Sequence, residues 1–353
     1  MPNHSGYRSE LLHHAGTPDF NNLLAVLRRE QPVRPTLFEF FLNDRLYDRL
    51  VGDTGTWPKH LRSPLKVAHA FRKTGYDYVT FLCPDFEFPA GEVEQKATRS
   101  INEGAVITDR TTFDRYPWPD PLRTDYSIFT DLENHLPPGM KVLVYGPYGV
   151  LENVIRLMGY ENLCYLILDD DQLVFDVFEA VGTRLVSYYR HCLPFEIVGG
   201  IIGNDDWGFK SQTMLSPNQM RSFVFPWHKE IVDAAHEAGK PAILHSCGCL
   251  TAVMGDVIDD MKYDAKHSFE DAIESVERAY DRYQSRIAIL GGIDLDFVCR
   301  SSPEDVYNRS RDMLMRAEGR GGYALGTGNS VPEYVPDENY FAMIAAALED
   351  RRF

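Results

Sequence analysis

The sequence predicts an α/β fold, a (β/α)8 TIM barrel with an N-terminal helical extension and an insert after the second strand. Short apolar runs ending in Gly, Pro, Asp or Asn alternate with longer stretches of helical spacing, which is the pattern of βα units. Eight such runs follow one another, the strand number of the barrel. The chain of 353 residues carries no internal repeat, low-complexity tract or Gly/Ser/Pro linker, so a single domain over 1–353 is expected.

The elements follow in order. Residues 1–34 form the extension, with a helix over 20–29. Strands are expected at 36–41 (TLFEFF), 78–83 (YVTFLC), 142–146 (VLVYG), 197–204 (IVGGIIGN), 242–246 (AILHS), 264–268 (DAKHS), 287–292 (IAILGG) and 323–326 (YALG). Between them, helical spacing covers 64–74, 169–190, 217–238, 269–282 and 303–317, several opened by Ser-Pro or Asp residues suited to a helix start. The insert, 85–121, holds Glu87, Phe88, Pro89, Tyr116, Pro117, Trp118 and Pro119. It sits where a βα loop overhangs the barrel mouth, either as a pocket wall or lid, or as a cover over helices.

Composition narrows the function. With 36 basic against 52 acidic side chains the net charge is −16, and no basic run exists to release counterions from a phosphate backbone. Nucleic-acid and anionic-membrane partners are therefore not expected. The first residues include His4, His13 and His14 but no apolar run, so no signal peptide is read there. No apolar stretch approaches the ~20 residues of a membrane helix. A cytoplasmic protein is expected, and its six cysteines are too sparse for a disulfide framework.

In such a barrel the chemistry belongs at the carboxyl-terminal strand ends. These supply Glu39, Tyr145, the run Asn204-Asp205-Asp206-Trp207, His245 with Cys247, His267, Asp294 and Asn329. The sharpest feature is His245-Ser246-Cys247-Gly248. Side chains at i and i+2 of a strand share a face, so one imidazole and one thiol project together, half of a zinc site with soft ligands. Asn329, Cys249, Asp294, Asp206 and Glu39 are candidate further ligands. Asp206, with Asp205 beside it, is the candidate catalytic carboxylate, and one of the two is expected to cap the following turn. Glu39, Tyr145, Trp207, His267, Asp294 and Asn329 are candidate substrate-binding groups. GxGxxG, Walker, GxSxG and HExxH patterns are absent, which demotes nicotinamide and ATP chemistry.

Taken together, these residues resemble the uroporphyrinogen decarboxylase superfamily, over about 36–346. The resemblance is carried by Gly146-Pro147, Asp205-Asp206, Leu215-Ser216-Pro217 with Arg221 and Pro226, and Gly239-Lys240-Pro241. His245-Ser246-Cys247-Gly248, Gly291-Gly292-Ile293-Asp294, and Pro336 with Glu338-Asn339 complete it. The superfamily includes corrinoid-dependent methyltransferases that pass a methyl group from methylcobamide to a thiol. That branch implies zinc on His-x-Cys of the fifth strand and a cysteine after the eighth. His245 and Cys247 match the first part, whereas Asn329 stands in the place of the second.

The decarboxylase branch implies an amino-terminal arginine stretch that grips a polycarboxylate. Residues 36–41 hold Glu39 and aromatics instead, which would repel such a substrate. The resemblance thus implies methyl transfer between a corrinoid carrier and a thiol or other small-molecule acceptor. The corrinoid would come on a partner protein, because the Asp-x-His-x-x-Gly signature is missing, and relatives often form homodimers. One alternative is a metal-free decarboxylase for another substrate, with Asp205 or Asp206 on an electron-rich ring and Arg110, Arg115 and Arg123 as its cations. The other is a non-catalytic ligand-binding barrel.

Overall fold

The computed structural model describes residues 16–91 and 101–349; the first fifteen residues, with His4, His13 and His14, lie outside them. Seven parallel strands, β1 (Tyr78–Leu82), β2 (Lys141–Tyr145), β3 (Val198–Asn204), β4 (Ala242–His245), β5 (Ala265–His267), β6 (Ala288–Leu290) and β7 (Tyr323–Ala324), pair in sequence order. Such an all-parallel order requires a helix or long crossover between strands, and those crossovers cover the outer face.

The eighth stave differs from expectation. Residues 36–41 form no regular strand, but this segment joins the chain just past β7 through parallel bridges, Leu37 to Leu325 and, one residue on, Leu42 to Val331. On the other side the closure to β1 runs through side chains. The Tyr78 hydroxyl accepts from the Glu39 amide at 2.7 Å and donates to its carbonyl at 2.6 Å, and the Thr80 hydroxyl donates to the Phe40 carbonyl at 2.7 Å. On that side the backbone groups of Glu39 and Phe40 find their partners in the Tyr78 and Thr80 hydroxyls, and not in a strand ladder. Gly326 makes the other contact fit, since a Cβ there would lie 1.7 Å from the Phe38 carbonyl oxygen.

The amino-terminal helix, Phe20–Leu27, is capped by Asp19 and starts with a Phe20 amide bond to the Gly139 carbonyl. It thereby lies against the entry to β2. The helix expected from 269 starts only at Val276, because the Asp294 carboxylate takes the Asp271 amide and fixes the preceding residues as a loop. Of the insert, 92–100 lie outside the described residues. Trp118 packs edge-on against Tyr116, Phe113 and Phe88, with the Arg184 guanidinium 4.9 Å from its ring. The insert therefore has an apolar anchor of its own. Among the described residues no helix is long and apolar enough to cross a membrane.

Candidate functional site

The carboxyl-terminal ends of β1 to β4 surround a cavity of about 820 Å³, walled by Phe40, Tyr145, the loop from Leu82 to Glu87, and the helix Val150–Met158. Register decides which side chains reach it. Asn204 of β3 pairs with His245 of β4, and the ladder continues past the strand ends through the Asp205 amide to the His245 carbonyl (3.0 Å) and the Gly208 amide to the Cys247 carbonyl (3.2 Å). Two residues on, Asp206 therefore stands beside Cys247. Alternation sends Asn204 and Asp206 to the cavity and Asp205 and Trp207 to the opposite side.

The two aspartates thus have separate fates. Asp206 Oδ1 accepts the Cys247 amide at 2.9 Å, and ligand atoms of Asp206, His245 and Cys247 lie within 4.8 Å of one another. Asp205 is fully buried and turned away. Its oxygens accept the Leu151 and Glu152 amides, both at 2.9 Å, at the start of the helix Val150–Met158, and it meets His228 Nε2 at 2.9 Å. It caps a helix more than fifty residues earlier in the chain, and not the following turn that one aspartate of the pair was expected to cap.

The other candidates distribute likewise. Trp207 is fully buried against Phe225 and His228 rather than at the cavity wall. Asp294 caps the helix Leu295–Arg300 through the Phe297 amide. Glu39 is fully buried within the barrel, accepting the Thr327 amide at 2.6 Å and meeting its hydroxyl at 2.8 Å; burial pushes its carboxyl up to about 8. Tyr145 lines the cavity. His267, opposite His245 on β5, is fully buried behind it, with the two Nδ1 atoms 2.8 Å apart. Asn329 donates its amide to Cys247 Sγ at 3.2 Å. Cys249 lies past the turn, near the Thr251 hydroxyl, and is not among the three converging groups.

Burial governs the electrostatics. The His245 imidazole is lowered to about 4 by desolvation, and His267 is pushed well below its usual value by burial and then by His245. Both rings are neutral. The Cys247 thiol is pushed up to about 12, by burial first and by the Asp206 charge second. An ion is therefore what would ionise it.

Two cavity residues carry no motif in the sequence and were not among its candidates: Glu152 and Arg156, one helical turn apart on the helix Val150–Met158. Their signal is a Glu-x-x-x-Arg spacing directly after Gly146-Pro147, which places both on one helix face. Burial, then the charges of Asp205 and Asp206, drives Glu152 well above the usual carboxylate range, while its Oε2 accepts the Gly149 amide at 3.1 Å. Arg156 stacks on the Tyr148 ring at 3.9 Å, and its buried Nε has no partner. The insert arginines do not line this cavity: Arg110 pairs with Asp176 and Arg123 with Asp120.

Nitrogen, sulfur and oxygen donors from Asp206, His245 and Cys247 are a set that would suit zinc, which as a Lewis acid takes three protein ligands in catalytic sites. Tetrahedral zinc–ligand bonds set donor–donor edges of about 3.5 Å, so the three groups would have to draw in from a spread of 4.8 Å to hold an ion.

A sequence model of uroporphyrinogen decarboxylase (URO-D) matches residues 113–349. Over 146 residues the chain is 30% identical to the methylated-thiol–coenzyme M methyltransferase of Methanosarcina mazei, a match covering 39% of this chain and 35% of that relative. The match thus spans about a third of the curated relative's length. A solved methyltransferase from Methanosarcina mazei superposes with a TM-score of 0.67 at 16% identity, over 95% of this chain and 99% of that one. At that identity the likeness speaks for the fold.

Proposed function

The chain belongs to the uroporphyrinogen decarboxylase (URO-D) family, and from that premise we propose that it is a methyltransferase moving a methyl group between a corrinoid (methylcobamide) carrier and a thiol or other small-molecule acceptor. The corrinoid would be brought by a partner protein, and the acceptor would bind at a zinc site held by His245, Cys247 and Asp206. The observation that supports this is the convergence of those three side chains beside an open cavity.

When bound, the corrinoid supplies the methyl group and zinc supplies the Lewis acidity that makes an acceptor thiol a thiolate at neutral pH. The chain's own residues do the rest. Asp206 ties down the Cys247 backbone through Oδ1, which fixes where the sulfur points. The Asn329 amide donates to that sulfur and so favours its ionised form. Burial and the neighbouring Asp205 and Asp206 push the Glu152 carboxyl toward its protonated form, which limits the negative charge beside the site. Phe40, Tyr145 and Phe86 give the cavity an aromatic wall, and Arg156 faces it as the one cationic side chain among the described residues of its lining.

Decarboxylation of a polycarboxylate has less support. Among the described residues one arginine lines the cavity, against the carboxyl groups Asp85, Glu87, Glu152 and Asp206, the wrong balance for holding several carboxylates.

Zinc reconstitution followed by metal analysis tests the reading, together with the spectrum of methylcobalamin incubated with candidate thiols. About one equivalent of zinc, lost in Cys247→Ser, and thiol-dependent demethylation of the cobalamin are expected. Less than about a tenth of an equivalent after reconstitution would overturn the metal site.

A further inference from the structure

His267 enters none of the roles above, yet it sits fully buried against the histidine that carries the proposed site. Its Nε2 lies 3.3 Å from the Thr327 carbonyl oxygen and its Nδ1 lies 2.8 Å from His245 Nδ1. A carbonyl only accepts, so His267 Nε2 must carry a hydrogen. Fully buried and partnered by a carbonyl and a second imidazole rather than by a carboxylate, the ring is kept uncharged, which leaves its Nδ1 as a lone pair. The short contact between the two Nδ1 atoms then needs its hydrogen on His245. With Nδ1 of His245 protonated, the remaining nitrogen of that neutral ring, Nε2, is a bare lone pair.

The surroundings hold this arrangement in place. Phe38 packs edge-on against the His267 ring at 5.0 Å, and Phe40 lies 4.6 Å from the His245 ring. Gly291 lets the carbonyl and ring meet: a Cβ there would lie 2.3 Å from the Thr327 oxygen and 2.9 Å from His267 Nε2, and the backbone φ of +65° is one that glycine adopts freely.

We propose that His267 is a positioning residue that sets the tautomer of His245, through a hydrogen-bond chain from the Thr327 carbonyl, so that His245 offers Nε2 to the ion. The proposal rests on the metal reading of the site and deepens it. A ligating histidine whose other nitrogen is held by a fixed partner is both oriented and made more basic, and loss of such a partner costs about 10–100-fold in metal affinity.

The test has two parts. In the metal-free protein at neutral pH, the ring-nitrogen NMR shifts of 15N-histidine-labelled samples should show His245 protonated at Nδ1 and bare at Nε2, and His267 protonated at Nε2. The opposite tautomer at either residue overturns the proposal without any variant being made. Zinc affinity by chelator competition should then fall about 10–100-fold in His267→Phe, which keeps the ring and removes the acceptor. It should recover to within about threefold of the parent in His267→Asn, whose Oδ1 accepts where Nδ1 did. Unchanged affinity in His267→Phe, or equal loss in both variants, would mean that packing alone matters and overturns it. Absence of zinc binding in the parent protein is a different result, and that one sinks the metal reading.

Discussion

The side-chain amide of Asn329 donates to Cys247 Sγ across 3.2 Å, so a residue in the loop after β7 reaches the sulfur that follows β4. Where the family resemblance implies a cysteine, this chain places a donor against the thiol rather than a third soft ligand. Replacing Asn329 by Cys puts a second thiol on the Cys247 side of the site, one bond further from the first sulfur than the amide nitrogen. Asn329→Cys is expected to tighten zinc binding by about tenfold or more, because a thiolate is the softer and stronger zinc ligand. Chelator competition reads this, and unchanged affinity would mean that position 329 does not face the ion.

Asp205 and Asp206 are adjacent in sequence and opposite in consequence. Asp205→Ala removes the cap of the helix Val150–Met158 and the partner of buried His228. It is expected to cost about 2–4 kcal/mol of stability, read from denaturant midpoints. Asp206→Asn keeps an oxygen for the Cys247 amide and should leave the midpoint within about 0.5 kcal/mol while weakening zinc binding severalfold. Equal stability losses at both positions would contradict the alternation that separates them.

That alternation shows how far the sequence can be read. The βα rhythm predicts the barrel, and a period of two is enough to put His245 and Cys247 on one face. The choice of Asp206 over Asp205 for the inward role lies beyond what the period alone decides, because it depends on the register of β3 against β4, Asn204 opposite His245, which is a long-range fact. Trp207, His267 and Asp294 sit at strand ends as expected. Whether such a residue faces the cavity, the core behind it or a helix terminus is fixed by neighbours distant in the chain. Residues 36–41 carry a strand's apolar pattern, yet the backbone groups of Glu39 and Phe40 bond the Tyr78 and Thr80 hydroxyls, and not a strand ladder. Glu152 and Arg156 escape a sequence reading because a polar pair at helical spacing has the pattern of a solvated face, and only the folded chain puts a cavity beside it.

Glu39 predicts a pH dependence of stability. Its carboxyl is held to about 8 in the folded barrel by burial, against an ordinary value of 4.5. The folded protein therefore keeps a proton that the unfolded chain releases. Its contribution is fully present below pH 4.5, falls as pH rises through the interval, and is lost above about 8. Within that window stability should fall by up to about 1.4 kcal/mol per pH unit from this group. Glu39→Gln keeps the shape and removes the titration, so the difference between variant and parent should grow in the variant's favour from about pH 5 to about pH 8. Denaturant unfolding across this range measures it, and a constant difference would show that Glu39 is ionised in the native barrel.

Arg156 predicts a preference among substrates. Its guanidinium lies flat on Tyr148 at 3.9 Å, reaches Asn153 through one nitrogen at 3.3 Å, and leaves a buried Nε unpartnered. A buried donor without an acceptor is costly, and a ligand carrying a carboxylate or sulfonate would relieve it with a charge-assisted bond. The same cavity holds several carboxyl groups, so an anion entering it gains only where Arg156 can reach. Arg156→Gln should therefore raise KM for anionic acceptors by about 10–100-fold, since a bond to a charged group contributes about 1.5–3 kcal/mol. It should leave kcat within about threefold, because the interaction is the same in ground and transition states. Neutral acceptors of similar size should be unaffected. A KM that rises equally for neutral and anionic acceptors would assign Arg156 to the wall of the cavity through its stacking on Tyr148, and not to recognition of charge.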